Sequence, residues 1–299
     1  MDMLCIHGLH KRFGDKAVLC GLELQVPTNS VFGFVGKNGA GKTTTMKTIL
    51  GLLKADAGQI LVNGESVAYG ASAANRFIGY LPDVPVFYPY MTAREYLHFC
   101  GEIVGMDRRE IPRRSQALLE LVGLGEENHR IQGFSRGMKQ RLGIAQALLS
   151  RPKLLICDEP TSALDPVGRK EILDILLAAR EETTVLFSTH ILSDVERICT
   201  DVAFLDHGIA TVQGPIDQIK AQVRTDEYRL ELDDPAAASL LQSTFSQMRL
   251  LKNGQLSFRD SQHPHGEVLR FLADKQLSLT KWERSEPTLE SLFMEATEA

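Results

Sequence analysis

Apolar residues recur along the first 215 positions in two rhythms. Val18, Leu22, Leu24 and Val26 fall on alternate positions, the period of a half-buried strand. Val31 to Val35 is apolar almost throughout and reads as a strand covered on both faces. A glycine-rich loop follows, and then a helix is expected over about 42–52. Asn63-Gly64, between residues 59–62 and 65–69, predicts a tight hairpin turn. From about 92 to 150 the spacing becomes helical, with Leu97, Phe99, Ile103, Leu118, Leu119, Leu121 and Val122 supplying the apolar faces. After Ser150 the pattern runs strand 154–157, helix 167–179, strand 184–188, helix 191–198, strand 202–205, and Gly214-Pro215 closes it. Apolar strands alternating with helices predict a parallel sheet covered on both faces.

Beyond about residue 221 the character changes. Tyr228, Leu230 and Leu232 alternate, and Asn253-Gly254 predicts a second hairpin turn between Leu250 and Leu256. Val268, Leu269 and Leu272 suggest one helix. Leu289, Leu292, Phe293 and Ala296 suggest another, with Pro287 in its first turn. This part reads as a small α+β appendage in which Trp282 and Phe293 are core residues.

Composition narrows the class. The 299 residues carry a net charge of −5 with acids and bases mixed along the chain, which gives no pull toward nucleic acid or acidic lipid. A hydrophobic fraction of 43% is that of an ordinary globular protein, and no run of about 18 apolar residues offers a membrane span. The opening segment lacks the apolar core of a signal peptide. Five scattered cysteines without a CxxC pair argue for free thiols, three of them in apolar runs and so buried, in a reducing compartment.

The candidate chemistry begins at Gly36-Lys37-Asn38-Gly39-Ala40-Gly41-Lys42-Thr43-Thr44, which matches the phosphate loop GxxxxGK[ST] between an apolar strand and a helix. Small residues let backbone N–H groups converge on phosphates, and the helix N-terminus adds about half a positive charge. Lys42 is placed to reach the β and γ phosphates of a bound nucleotide, and the Thr43 hydroxyl to ligate Mg²⁺. Further on, the strand at 154–157 ends in Asp158-Glu159-Pro160. An acidic pair after a strand is by itself an ordinary loop start. In a chain with a phosphate loop, Asp158 is placed to hold Mg²⁺ and Glu159 to orient the attacking water. Between these regions lies Gly133-Phe134-Ser135-Arg136-Gly137-Met138-Lys139-Gln140-Arg141, in which Ser135 can cap a helix.

The order of phosphate loop, FSRGMKQR, ICDEPTSALDP and FSTH resembles the nucleotide-binding subunit of ATP-binding cassette (ABC) transporters over residues 1 to about 215. The resemblance implies a P-loop NTPase (RecA-like) α/β core with an antiparallel β subdomain and a helical subdomain, here at about 92–150. It places a cassette over 1–220 and an accessory domain over 221–299. It implies that Phe134 to Met138 occupy the family signature, whose Ser135 and Gly137 would meet the γ-phosphate of ATP held by a second such chain. Ser162 to Asp165 would cross between subunits, His190 would contact the γ-phosphate, and Phe13 would stack on adenine. Two copies of the chain, an integral membrane permease and a seat at the cytoplasmic face of the membrane are the implied partners and place. Two positions depart from the pattern. Asp83 stands where the family has Gln, a shorter acidic side chain that could still face Mg²⁺ through water, and Arg136 replaces a small signature residue. The FSxGM form and the C-terminal appendage resemble the branch serving two-part exporters. An importer subunit, or an ABC ATPase acting on ribosomes or DNA, shares the same motifs. Asp83 to Tyr90, rich in proline and aromatics, is expected to form a groove for a helix of the membrane partner.

Overall fold

The computed structural model describes residues 2–222, 226–251, 254–284, 288–290 and 292–293, which fall into two units, residues 1–217 and 218–295. The first unit opens with β1 (Asp2–Phe13), β2 (Lys16–Pro27) and β3 (Val31–Gly36). The pattern predicts no strand before Val18. In β1, Leu4, Ile6 and Leu9 are buried, but a register shift between Ile6 and Leu9 moves the buried face by one residue. Such a bulge erases the period of two that reveals a strand. The phosphate loop leads into α1 (Lys42–Ile49), shorter than the pattern suggests. Then come β4 (Ala57–Val62) and β5 (Glu65–Ser66), joined by Asn63 at φ 49° and Gly64 at φ 79°, the two left-handed residues of a hairpin turn. Strands β1, β2, β4 and β5 make one antiparallel sheet.

After β6 (Ile78–Leu81) the chain turns helical: α2 (Ala93–Ile103), α3 (Glu110–Leu121) and α4 (Arg136–Leu148). Thr92 and Glu95 form a reciprocal capping box at the start of α2. Ile103 and Leu121, expected on the apolar faces, are instead exposed, each standing at the last position of its helix. The remaining elements are β7 (Leu154–Asp158), α5 (Pro166–Ala179), β8 (Thr184–Thr189), α6 (Leu192–Ile198), β9 (Asp201–Asp206), β10 (Ile209–Pro215) and α7 (Ile216–Gln222). The second sheet runs β10-β9-β3-β8-β7-β6, parallel except for β10. Gly214 and Pro215, read as the close of this region, are the last two residues of that edge strand, where proline is tolerated. One core cluster, including Ile6, Leu24, Phe34, Met46, Ile156 and Leu186, joins both sheets through α1.

The second unit follows β11 (Glu227–Leu232), α8 (Pro235–Thr244), β12 (Arg249–Leu250), β13 (Leu256–Arg259), α9 (His265–Asp274) and β14 (Leu279–Arg284). Its antiparallel sheet, ordered β12-β13-β11-β14, is the ferredoxin-like split β-α-β arrangement. Leu230, Leu241, Leu256, Phe258, Val268 and Leu272 form its core, with Trp282 partly buried against them, whereas Leu269 is exposed. Asn253 of the second hairpin turn, and Pro287 and Ala296 of the last helix, lie outside the described residues. Leu289, Leu292 and Phe293 are buried. All five cysteines are free. Only Cys157 is fully buried, and Cys20 is exposed, so the expected burial of three holds for one.

Candidate functional site

The phosphate loop is shaped by close packing. A Cβ on Gly36 would sit 2.7 Å from the Leu205 carbonyl of β9. Gly41 adopts φ 113°, and a Cβ there would lie 2.9 Å from Leu19 of β2. Only glycine fits either place. The loop thus stays pressed to the sheet edge while Lys37, Asn38 and Gly39 remain exposed and Ala40 is buried. The first N–H groups of α1 lack partners four residues back and point toward the loop.

Lys42 is buried, and its Nζ donates to the Gly36 carbonyl at 2.6 Å. The same Nζ lies 3.1 Å from Glu159 Oε1, within ion-pair range but without hydrogen-bond alignment. Glu159 begins the turn after β7 at φ 48°, a strained conformation for a non-glycine residue. Its N–H donates to the Ser188 hydroxyl, which donates to Asp158 Oδ1 at 2.7 Å. Its Oε2 is 2.9 Å from His190 Nδ1; an ionised carboxylate only accepts, so that nitrogen carries the proton. One carboxylate therefore spans the phosphate-loop lysine and the histidine after β8.

Asp83 follows β6. Gln140 of α4 donates to its carbonyl at 2.7 Å, and Arg136 Nη2 lies 3.6 Å from its Oδ1. The two departures from the family pattern are thus partners. Burial raises the Asp83 carboxyl above the ordinary range. Arg136 opposes that shift, and the neighbouring Asp158 and Glu159 add to it.

A cavity of about 500 Å³ lies at the C-terminal ends of β3 and β7, the edge where open α/β sheets bind ligands. It is lined by Asn38, Gly39, Gly41, Lys42, Thr43, Thr44, Asp83, Glu159 and His190, together with Lys16, Val18 and Ser162. Lys16 and Val18 carry no motif, and only the hairpin from β1 brings them in. Phe13 lies outside the lining, half exposed and paired across the hairpin with Lys16. Ser135 and Gly137 also lie outside it. The Ser135 hydroxyl accepts from Met138 N–H as the cap of α4, and a Cβ on Gly137 would meet nothing closer than 3.9 Å. Among the described residues no three His, Cys, Asp or Glu converge to hold a metal by themselves. Asp83 Oδ1 and Glu159 Oε1 are nevertheless buried carboxylate oxygens without a hydrogen bond. Sparse hard oxygen donors of this kind suit Mg²⁺, which keeps water and phosphate oxygens in its shell.

A second cavity, of about 460 Å³, is an apolar groove lined by Val86, Phe87, Tyr88, Tyr96, Phe99 and Ile103 among others. Phe87 meets Tyr96 edge-on at 5.0 Å, and Tyr88 meets Phe99 at 5.5 Å. Val84, Val86 and Tyr90 are exposed. The proline-aromatic segment is therefore a groove wall.

A glycine loop between β3 and α1, facing acids at the end of β7, a parallel strand beyond β8 in the same sheet, defines a P-loop NTPase. Residues 19–162 match the ABC transporter family, and residues 214–297 match the C-terminal domain of DrrA1-3-like ATP-binding proteins. The chain is 37% identical to the uncharacterized ABC transporter ATP-binding protein YxlF of Bacillus subtilis, over 99% of this chain and 100% of that one. It is 35% identical to the bacitracin transport ATP-binding protein BcrA of Bacillus licheniformis, over 96% and 94%. A solved ATP-binding subunit of an ABC transporter superposes with a TM-score of 0.65 at 33% identity, over 74% of this chain and 92% of that one. The chain belongs to the ABC transporter ATP-binding proteins, and its reaction is the hydrolysis of ATP.

Proposed function

We propose that this chain is the motor of a two-part exporter: residues 1–220 form the cassette, 221–299 an accessory domain, and a separate integral membrane permease carries the substrate. Among the described residues no helix is long and apolar enough to cross a membrane, so the reading places the chain peripherally on the cytoplasmic face of a permease-bearing membrane. The FSxGM segment and the match to a DrrA-like C-terminal domain support the exporter branch, as does similarity to a protein named for bacitracin transport.

Lys42 and the loop amides hold the phosphates, Phe13 offers its half-exposed ring to adenine, and His190 meets the γ-phosphate. Thr43, Asp158 and Asp83 would hold Mg²⁺, which neutralises phosphate charge when bound. Glu159 orients water for attack and takes its proton. The observation carrying the reading is a division of labour. Lys42, Thr43, Asp83, Glu159 and His190 line one cavity, whereas Ser135 and Gly137 stand outside it at the start of α4. Two chains closing head-to-tail put the Ser135 segment of one over the phosphates of the other. A preference of about 5.5 kcal/mol for the closed pair takes it from 1:99 to 99:1. The apolar groove receives a cytoplasmic helix of the permease.

The test is gel filtration of Glu159→Gln with ATP and Mg²⁺. It is expected to elute as a nucleotide-loaded dimer, and Glu159→Gln combined with Ser135→Asp as a monomer. Nucleotide-loaded monomers of the single variant, or dimers of the double one, would remove the shared-site reading.

A further inference from the structure

Behind the phosphate cavity, a second set of polar side chains joins the same two loops. Asp194 lies in the first turn of α6, four residues after His190, and is 4% exposed. Its Oδ2 accepts from the Thr161 hydroxyl at 2.8 Å, and its Oδ1 accepts from Arg169 Nη2 at 2.6 Å. None of the three lines the cavity. A buried carboxylate is unfavourable unless hydrogen bonds and an opposite charge compensate it. Here each oxygen is engaged by a different element.

The placement of those elements matters more than the burial. Thr161 stands two residues beyond Glu159, in the turn that the left-handed Glu159 begins. Arg169 lies one turn into α5, whose N-terminus is capped by Asp165 through a 2.8 Å bond to Gly168 N–H. A single carboxylate on the His190 side thus grips residues 161–165 in front and behind. Nearer the cavity the Ser188 hydroxyl and the His190–Glu159 contact join the same loops. His190 and Glu159 both line the cavity, whereas Asp194, Thr161 and Arg169 lie outside it.

We infer that Asp194 is a positioning residue: through Thr161 and Arg169 it fixes the separation of the Glu159 loop from the His190 loop, so that both groups and residues 162–165 move as one body. The inference rests on the roles proposed above for Glu159 and His190. A merely stabilising buried ion pair predicts something different, namely general loosening without selective loss of the chemical step.

The experiment compares the full-length native chain with Thr161→Val, Thr161→Ser, Asp194→Ala and His190→Ala. Steady-state ATP hydrolysis is read alongside amide hydrogen exchange without nucleotide. Thr161→Val and Asp194→Ala are expected to lower kcat about tenfold and leave KM within about twofold, because misplacement costs the transition state more than ground-state binding. Combining them should cost no more than Asp194→Ala alone, and Thr161→Ser, which keeps the hydroxyl, should retain native kcat. Amides in 161–165 and 190–193 should exchange about tenfold faster in Asp194→Ala while those of β3 and β8 keep native rates. Native kcat in both variants, a loss confined to KM, or faster exchange throughout the sheet would overturn the inference. If Asp194→Ala does not fold, the contrast between Thr161→Val and Thr161→Ser decides alone. Impaired His190→Ala beside unimpaired Thr161→Val and Asp194→Ala removes only this inference. Normal turnover of His190→Ala removes the site reading and this inference with it.

Discussion

Glu159→Gln should bind ATP more tightly than the native chain even where no dimer can form. Lys42 is the cation that must meet the phosphates, and Glu159 Oε1 competes for it at 3.1 Å. Both side chains are largely shielded, at 7% and 15% exposed. Two unit charges at that distance attract by about 1.3 kcal/mol in water and about 5 kcal/mol at the effective dielectric of a protein edge. Taking the aqueous figure as the floor, loss of the charge frees Lys42 by about tenfold in affinity, and it also removes repulsion between Glu159 and the phosphates. Lys42 keeps its bond to the Gly36 carbonyl, so the loop geometry should survive. Turnover should fall by about 10²–10⁴, the contribution of a positioned base. The assay is displacement of a fluorescent nucleotide in EDTA at nanomolar protein, where pair closure does not add to affinity. Unchanged or weaker binding by Glu159→Gln would show that the lysine–carboxylate contact does not oppose nucleotide.

Two further outcomes follow from other parts of the molecule. The Asp83 carboxyl is raised by burial and by its acidic neighbours, so its charge is disfavoured in the folded state despite Arg136. A raised acid contributes stability that is present below its unfolded value of 3.8 and lost as pH rises through the folded value. Asp83→Asn should therefore raise the melting temperature at pH 7 and lose that advantage near pH 3.5; a lower melting temperature at pH 7 would mean that the Arg136 contact outweighs burial. Phe87→Ser with Tyr88→Ser should leave ATP hydrolysis by the isolated chain within about twofold while abolishing its retention by permease-bearing membranes, because removal of aromatic anchors strikes the centre of an apolar interface. Retention equal to native would show that the groove is not the docking site.

What could be read in the sequence and what could not divides along physical lines. A phosphate loop needs glycine where the backbone presses on β9 or turns left-handed, and a lysine and threonine at a fixed offset. Those demands are local, so Gly36 to Thr44 announce themselves. The apolar β3, β7 and β8 are equally plain, because burial on both faces writes a continuous run. β1 is hidden by its bulge and β10 by the glycine and proline at its end, since both strands depart from the period of two or end in breakers. The Asp83–Arg136 pair illustrates a different limit. Each residue is visible alone as a departure from the family pattern, but 53 positions separate them, and only the packing of α4 beside β6, with Gln140 on the Asp83 carbonyl, brings them together.

The charges around the cavity explain why such pairings recur there. Asp83 and Glu159 line a cavity whose ligand is itself a polyanion, and Asp158, at the end of β7 and outside the lining, adds its charge to Asp83. Repulsion among them has to be balanced by groups that can later be released. Each acid has its own partner: Arg136 for Asp83, the Ser188 hydroxyl for Asp158, and Lys42 with His190 for Glu159. Two of those partners, Lys42 and His190, are the side chains proposed to hold phosphate, so nucleotide entry draws both away from the Glu159 carboxylate. Arg136, the partner of Asp83, lies beside Ser135 at the start of α4. A change in the charge facing Asp83 therefore alters the restraint on the very segment proposed to close over the second chain's nucleotide.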